Sequence, residues 1–470
     1  MPEETICALA TATGGALGII RISGPRARSI VGSVCRCVSA TTPANSVHYT
    51  HITDGPEIID EAIVTVFRAP HSYTGEDSVE ISCHGSQYIL NKVLELLVGK
   101  GCRMAHPGEF TQRAYLNGKL DLSQAEAVAD LIASTNRATH QLAMSQLRGG
   151  ITNRLSLLRE HLLKLTSLLE LELDFSDHED LEFADRSELL SLAQEIEGHI
   201  HKLAQSFETG QALKQGIPVA IVGKTNVGKS TLLNQLLKDD RAIVSDIHGT
   251  TRDTIEDTIN INGVAYRFID TAGIRQTSDT IEQIGINRTY QAIDRARIVL
   301  WLLDEAPTEA EQQDMQTRCE NKSLIIVVNK IDQGVAVASD SALAFPVGTD
   351  LQFPAGADPR FFIPHSSLVK ISAKYGQGIN ALERAIYEAS NLPEINESDV
   401  IITNARHYDA LLRAHDSILR VISGLNDSLP GDLLAEDLHQ ALDTLAEITG
   451  GQITPQETLN NIFSHFCVGK

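Results

Sequence analysis

The sequence predicts a multidomain protein with an α+β N-terminal domain, a discontinuous all-α helical domain and an inserted α/β domain whose sheet is doubly wound and mainly parallel. The chain has 470 residues, which is more than one hydrophobic core usually serves. Short apolar runs fill its first part, and two blocks of leucines at helical spacing flank a region of alternating strand and helix patterns. We expect the boundaries at 1–118, 119–210, 211–390 and 391–470.

The first domain is predicted to mix strands with one helix. Apolar runs at Gly18 to Ile22, Ala62 to Phe67 and Val79 to Ser82 predict strands, whereas Ile89 to Leu97 predicts a helix. Residues 1–120 carry 10 Lys/Arg and 11 Asp/Glu, although the whole chain has a formal net charge of −22. This balance argues against a protein-wide nucleic-acid surface and predicts no DNA binding. An RNA partner would be met on a local patch or through another protein.

Composition excludes several classes of protein. Hydrophobic residues make up 42% of the chain and the mean hydropathy is −0.07, which is typical of a globular protein. No run approaches the ~18 apolar residues of a membrane span and no signal peptide is evident, so we expect a cytoplasmic protein without a membrane partner. Seven cysteines are scattered with no C-x-x-C pair, which predicts neither a zinc site nor a disulfide framework.

Leucine spacing predicts the helical domain. Leucines from Leu155 to Leu169 step by three and four, and the same spacing returns between Ile418 and Ile448. Neither block looks self-sufficient, so we expect the region between them to be inserted into one helical domain. A coiled-coil dimer is the competing interpretation, but the repeats are few. The stretch Glu170 to Glu188, with nine carboxylates, is predicted to be a solvated loop between helices.

The inserted region opens with the motif G-x-x-x-x-G-K-S. The apolar run Ile217 to Val222 leads into Gly223 to Ser230, and Thr231 to Leu237 continues as a helix. A strand, a glycine turn and a helix N-terminus direct several backbone N–H groups at one point, which suits an anion. Lys229 would reach the β- and γ-phosphates of a nucleotide, and the Ser230 hydroxyl can bind Mg²⁺.

Four more signatures follow in the order of a GTPase domain. A D-x-x-G motif begins at Asp270, and Thr251 in the preceding G-T-T-R-D stretch can complete the Mg²⁺ shell. In the N-K-I-D motif, Asp332 can accept two hydrogen bonds from guanine, and a carboxylate left unpaired would reject adenine by roughly 10⁴-fold. The S-A-K motif can read guanine O6 through its backbone. The inserted domain is therefore predicted to be a P-loop GTPase whose nucleotide-binding residues are Asn226, Val227, Gly228, Lys229, Ser230, Thr231, Ser245, Asp246, Ile247, His248, Gly249, Thr250, Thr251, Asp270, Thr271, Ala272, Gly273, Asn329, Lys330, Asp332, Ser372, Ala373 and Lys374.

The catalytic machinery has a gap. GTPases of the Ras kind orient the attacking water with a glutamine directly after D-x-x-G, and Ile274 occupies that position here. Arg252, Arg275 and Glu282 are the nearby polar candidates, and each is also consistent with a solvated loop residue.

The chain resembles the MnmE (TrmE) family of tRNA modification GTPases, essentially from end to end. Motifs outside the GTPase signatures carry the resemblance, namely Gly18 to Gly24, Ser72 to Asp77, Pro107 to Thr111, Asn117 to Leu122 and Phe466 to Lys470. The resemblance implies a homodimer whose N-terminal domain binds 5-formyl-tetrahydrofolate or a related reduced folate. It also implies a heterotetramer or larger complex with MnmG, an FAD protein. Together they would install a carboxymethylaminomethyl or aminomethyl group at C5 of the wobble uridine of certain tRNAs.

The resemblance also assigns residues in the first domain and at the C-terminus. Arg21, Glu80, Lys119 and the terminal Lys470 would line the folate pocket. Cys467 is a candidate for chemistry on the tRNA, and a buried small side chain is the alternative. The segment 333–368, from Gln333 to Leu368, departs from the family pattern, is rich in Gly, Pro and Ala, and is expected to be a surface insertion.

In the GTPase domain the resemblance implies that K⁺ fills the catalytic gap. The Asn226 amide oxygen would bind K⁺, and backbone carbonyls near Ser245, Ile247 and Thr250 would complete the shell. Lys229, Thr251 and Glu282 would then be the catalytic residues, with Glu282 orienting the water through a second molecule. Two other functions compete with this one, and the first is the alternative that stays open, because the sequence has no basic amphipathic stretch to support the second. An RNA-binding regulatory or ribosome-assembly GTPase would need a basic first domain, and a membrane-remodelling GTPase would need a basic amphipathic stretch.

Overall fold

The computed structural model describes residues 4–39, 41–174, 186–239, 257–269, 282–333, 366–392, 399–451, 456–464, 466 and 469. Two compact units are present. The first comprises 1–134, 142–204 and 405–470, and the second comprises 135–141 and 205–404. The chain therefore leaves the first unit and later returns to it, as the prediction of a discontinuous domain requires. The four boundaries given above stay a prediction.

A six-stranded sheet organises the N-terminal part of the first unit. Its strands are β1 (Ile6–Leu9), β2 (Leu17–Ser23), β3 (Ser46–Asp54), β4 (Glu57–Phe67), β5 (Ser78–His84) and β6 (Arg103–Met104). Their spatial order is β3-β4-β5-β2-β1-β6, and all neighbours are antiparallel except β1 and β6. Ile20, Val64 and Ile81 alternate with more exposed residues along their strands and are fully buried.

Helices cover this sheet and then continue as long amphipathic elements. The helices before the second sheet are α1 (Ala27–Val34), α2 (Gln87–Gly99), α3 (Glu109–Leu116), α4 (Leu122–Ala133), α5 (Arg137–Leu147), α6 (Gly150–Asp174) and α7 (Arg186–Gln215). Residues of α1 and α2 share one core with the sheet. The predicted strands and the predicted helix of the first domain are confirmed.

A second six-stranded sheet forms the centre of the second unit. Its strands are β7 (Ile217–Val222), β8 (Asp257–Ile261), β9 (Val264–Phe268), β10 (Ile298–Leu303), β11 (Ser323–Val328) and β12 (Ser366–Lys370). The order is β12-β11-β10-β7-β9-β8, and all neighbours are parallel except β8 and β9. Every residue of β10 is buried, as expected of a parallel strand covered on both faces. The predicted mainly parallel α/β sheet is confirmed.

The remaining helices belong partly to the second unit, with this sheet, and partly to the first unit. They are α8 (Lys229–Asp239), α9 (Glu282–Arg295), α10 (Glu309–Arg318), α11 (Ile379–Ala389), α12 (Ala405–Asn426), α13 (Gly431–Thr449) and α14 (Gln456–Ser464). Among the described residues, no helix is long and apolar enough to span a bilayer.

A buried ion cluster joins α4 to α12. In sequence, most of the second unit lies between these two helices. Glu126 accepts a hydrogen bond from Arg406 Nε at 3.0 Å, and its other oxygen lies 2.8 Å from His407 Nε2. Burial raises the pKa of Glu126, but the hydrogen bond and charge of His407 and the charge of Arg406 outweigh it, so the pKa is lowered. Arg406 also donates to the carbonyl of Glu447 at 2.7 Å, near the end of α13.

Two sequence expectations need correction. The acidic stretch Glu170 to Glu188 is not all loop, because α6 continues to Asp174 and α7 begins at Arg186. Glu and Leu are both strong helix formers, and Leu173 continues the spacing of the leucines from Leu155 to Leu169. The segment 333–368 is not all insertion either, because its last three residues belong to β12, which pairs with β11.

Candidate nucleotide site and N-terminal pocket

The phosphate-binding loop leaves the end of β7 through two glycines that no other residue could replace without strain. Gly223 has φ 154°, and a Cβ there would lie 2.3 Å from the carbonyl oxygen of Leu302. Gly228 has φ 102°, and a Cβ there would lie 2.4 Å from Asn329 Nδ2. Both φ values lie in the region that favours glycine. The loop is therefore pressed against the neighbouring strand ends β10 and β11, with α8 starting directly after it.

Asn329, in the N-K-I-D motif, forms hydrogen bonds to two other loops. Its amide nitrogen donates to the carbonyl of Val227 at 2.8 Å, and its amide oxygen accepts from the backbone N–H of Ala373 at 3.0 Å. The side chain is 3% exposed, so both bonds are shielded from water. Next to it, Ser372 Oγ donates to the exposed Asp332 carboxylate at 2.6 Å. The phosphate loop, the N-K-I-D motif and the S-A-K motif thus meet at the carboxyl ends of adjacent parallel strands, where α/β sheets bind ligands.

Lys229 lies half-buried at the start of α8. Its ammonium donates to the carbonyls of Gly223 at 2.6 Å and Lys224 at 2.7 Å. Burial lowers the pKa of Lys229, and among the described residues no carboxylate pairs with it. A buried ammonium held only by carbonyls is poised to receive an anion.

Three ion pairs beside the loop, made by two lysines, were not predicted from the sequence. Lys224 bonds Glu305 at 2.9 Å and Glu311 at 3.2 Å, and these hydrogen bonds raise its pKa. Lys330 bonds Asp304 at 2.6 Å and has a positive φ of 61°. The sequence gives little indication of these pairs, because isolated charged residues on loops follow no regular spacing. A cavity of about 320 Å³ lies nearby, lined by Thr231, Asn234, Gln235, Leu237, Lys238, Ala373 and Lys374.

Much of the predicted catalytic set lies outside the described residues. This applies to the predicted residues of 245–251 and 270–273, to the neighbouring 252, 274 and 275, and to the side chain of Glu282, whose backbone begins α9. Asn226 lies among the residues that the structure describes. It is exposed and has φ 62°, a left-handed conformation that asparagine tolerates better than most residues.

The first unit brings polar and aromatic side chains together around Arg21 on β2, at the predicted folate pocket. Arg21 Nε donates to Glu80 on β5 at 2.8 Å, which follows from the antiparallel register that places the two residues opposite each other. The guanidinium carbon lies 5.6 Å from the centre of the Tyr73 ring and 5.8 Å from that of Phe110. The family resemblance implies roles for Arg21 and Glu80, but not for Tyr73 or Phe110. Both aromatic residues lie inside the quoted family motifs, which is the signal that could have found them.

The C-terminal tail reaches the same pocket. Arg21 Nη1 donates to the carbonyl of Gly469 at 3.2 Å. Gly469 has φ 98°, and a Cβ there would lie 2.4 Å from the carbonyl oxygen of Leu9, so a glycine is required. Lys470 and Cys467 lie outside the described residues. Lys119 Nζ donates to the carbonyl of Pro70 at 3.1 Å, and no contact with Arg21 or Glu80 is described for it.

Comparison with known proteins decides the family. A family model described as MnmE helical domain matches residues 122–467, and one described as GTP-binding protein TrmE N-terminus matches residues 5–119. The chain belongs to the MnmE (TrmE) family of tRNA modification GTPases. This confirms the resemblance inferred from the sequence.

Curated MnmE relatives match over the full length. The tRNA modification GTPase MnmE of Phocaeicola vulgatus is 51% identical over 513 residues, with 100% of this chain and 99% of that protein covered. The protein of the same name from Porphyromonas gingivalis is 49% identical over 480 residues, with 100% and 98% covered. Among solved structures, the G domain of the T. maritima FeoB iron transporter is 19% identical, covers 37% of this chain and 99% of its own, and has a TM-score of 0.24. That score supports no structural conclusion.

Proposed function

We propose that this protein hydrolyses GTP and, with the FAD-dependent protein MnmG, installs a carboxymethylaminomethyl or aminomethyl group at C5 of the wobble uridine of certain tRNAs. Membership in the MnmE family supports the general activity, that of a tRNA modification GTPase. The observation that carries the nucleotide site is the placement of Asn329, which bonds the phosphate loop on one side and the S-A-K motif on the other. Such a junction would hold the guanine-reading and phosphate-binding loops at a fixed spacing.

In this proposal, the groups of the loop have separate tasks. Lys229 exchanges its carbonyl partners for the β- and γ-phosphates, while the backbone N–H groups before α8 receive the phosphate oxygens. Asp332 accepts the two N–H donors of guanine, and Ser372 fixes its carboxylate from the other side. The Ser230 and Thr251 hydroxyls would hold Mg²⁺, a cation that prefers oxygen ligands and neutralises phosphate charge.

K⁺ is proposed to take the place of an arginine finger. The Asn226 amide is an oxygen donor, and backbone carbonyls near Ser245, Ile247 and Thr250 would add others, a donor set that suits a hard monovalent cation. The bound ion would stabilise charge that develops near the bridging oxygen. Glu282, at the start of α9, would orient the water through a second molecule.

The pocket around Arg21 is proposed to bind a reduced folate. Tyr73, which is exposed, offers an aromatic face for the pterin, and Glu80 can accept from its donor edge. Arg21, with Lys119 and Lys470, would supply positive charge for the glutamate tail. Cys467, three residues before Lys470, would then lie close enough to contribute to chemistry on the tRNA.

A homodimer is proposed to form through the N-terminal sheet. Its edge strand β3 exposes Val47 by 64% and Tyr49 by 69%, and neighbouring β4 exposes Ile63 by 48%. An edge strand of nine residues that exposes large side chains such as Val47 and Tyr49 is a surface that proteins usually cover.

The test is mass spectrometry of wobble uridines from cells that lack this protein. We expect the modified nucleoside to disappear, to return with the wild-type gene, and to stay absent with Lys229→Ala. The exposed Lys164→Ala on α6 serves as the matched control and should restore it. Unchanged wobble uridines in the deleted cells would refute the proposed function. If the modification is lost but MnmG does not co-purify with the protein, the partnership is refuted and the role in tRNA modification is not.

A further inference from the structure

Helix α7 contains a short segment of unusual composition, Glu195 to His201, which reads E-I-E-G-H-I-H. Its isoleucines, Ile196 and Ile200, are fully buried and belong to the helix face that packs inward. On each flank of that face, a glutamate precedes a histidine by four residues, so both side chains lie on the same side of the helix. Each of these pairs meets a histidine from a neighbouring helix.

The first cluster joins α7 to α12. Glu197 Oε1 lies 2.7 Å from Nε2 of His415, and the ring centres of His201 and His415 are 5.2 Å apart. One ligand atom from each of the three residues lies within 4.8 Å of the other two. Glu197 and His415 are half-buried, whereas His201 is exposed.

The second cluster joins α7 to α6. Glu195 and His199 on α7 meet His161 on α6, again with one ligand atom from each within 4.8 Å of the others. The two imidazoles stack with ring centres 6.3 Å apart, and Nδ1 of His161 is buried without a hydrogen-bond partner among the described residues. A buried ring nitrogen without a partner costs free energy unless something binds it. The positive charges of Arg154 and Lys202 near His199 oppose a cation here, which should make this cluster the weaker of the two.

We propose that these clusters are two binding sites for a divalent transition-metal ion, with Zn²⁺ as the probe. Two imidazoles and one carboxylate form a donor set that Zn²⁺ takes in proteins, with water in the fourth position. Because α7 and α12 flank in sequence the chain that forms most of the second unit, the first site would fasten together distant parts of the helical domain.

The experiment is a calorimetric titration of the full-length, chelator-treated protein with Zn²⁺ in the presence of saturating Mg²⁺ and GDP. The exposed ligand of each cluster is replaced, because neither change should disturb folding: His201→Gln for the first site and Glu195→Gln for the second. Each variant should lose one bound ion of the wild type, with the affected site weakened by roughly 100-fold or more. The control His439→Gln removes a histidine that lies 3.6 Å from Glu170 and that joins no cluster of three ligands among the described residues, and it should keep both ions.

Two additional measurements identify the ligands and the effect of the bound ions. Co²⁺ bound at these sites should lack the intense near-ultraviolet absorption of a thiolate ligand, which would exclude the cysteines as the source of binding. Saturating Zn²⁺ should raise the unfolding temperature of the wild type and not that of the double variant. A titration with His201→Gln that matches the wild type would overturn the first site, and the same result with Glu195→Gln would overturn the second.

Discussion

At the scale of single residues, the nucleotide site depends on side chains that satisfy one another before any ligand arrives. Asn329 uses both ends of its amide to fix two loops, and Ser372 uses its hydroxyl to fix Asp332. These bonds leave the outer part of the Asp332 carboxylate exposed. Preorganisation of this kind reduces the free-energy cost of ordering the site when the base binds.

The first prediction concerns the choice of base. Asp332→Asn replaces an acceptor by a group that presents a donor to guanine, so GTP binding should weaken by roughly 10³ to 10⁴-fold. Xanthosine triphosphate, which reverses one donor–acceptor relation, should bind the variant better than GTP does. Equilibrium titration with labelled nucleotides measures both. The control Asp314→Asn removes an exposed carboxylate on α10 that bonds Arg318, and it should not change the preference. An unaltered GTP preference in Asp332→Asn would contradict the assignment.

At the scale of elements, the sequence predicted what has a period or a fixed motif. The strands β2, β4, β5 and β7 and the leucine-rich helices follow from apolar spacing, and the phosphate loop follows from its glycines. Partners that come from distant parts of the chain could not be predicted this way. Tertiary packing places the aromatic rings near Arg21 and the histidines that meet α7 from α6 and α12. Such packing leaves no regular spacing in the local sequence. Cysteine spacing indicated no zinc site, and the E-x-x-x-H pairs that could have suggested a metal site also fit ordinary helical ion pairs.

The second prediction tests the pocket that β2 and β5 form. Arg21→Ala removes a guanidinium that bonds Glu80 and the carbonyl of Gly469, so affinity for 5-formyl-tetrahydrofolate should fall by about 10- to 100-fold. The matched control is Arg28→Ala, which breaks a similarly buried pair with Asp77 at 2.7 Å in the same domain. Calorimetry should show wild-type folate binding in that control and normal GTP hydrolysis in both variants. Equal folate affinity in Arg21→Ala and the wild type would rule out this pocket.

At the scale of the whole molecule, insertion of one unit into another places the proposed nucleotide site and the proposed folate pocket in separate parts of the chain. The cluster of Glu126, Arg406 and His407 joins the two parts of the helical domain that flank the inserted unit in sequence. In this proposal, binding of the catalytic cation requires the dimer. A loop that binds K⁺ only when two GTPase domains meet would make hydrolysis depend on assembly.

The last prediction follows from that dependence. Ile274 cannot orient water, and an arginine finger is worth roughly 10³ to 10⁵-fold, so a cation that replaces one should have a large effect on the rate. Hydrolysis should be faster in K⁺ than in Na⁺ at equal ionic strength, because carbonyl and amide oxygens suit the larger, less tightly hydrated ion. Asn226→Ala should abolish the difference, whereas the exposed Asn153→Ala on α6 should preserve it. Glu282→Ala should bind GTP and barely hydrolyse it. Phosphate-release assays at several protein concentrations measure all of these rates, and the K⁺ stimulation should grow with concentration as GTPase domains pair. Wild-type rates that are equal in the two salts would exclude the cation from the mechanism and leave the catalytic gap to be filled by another group.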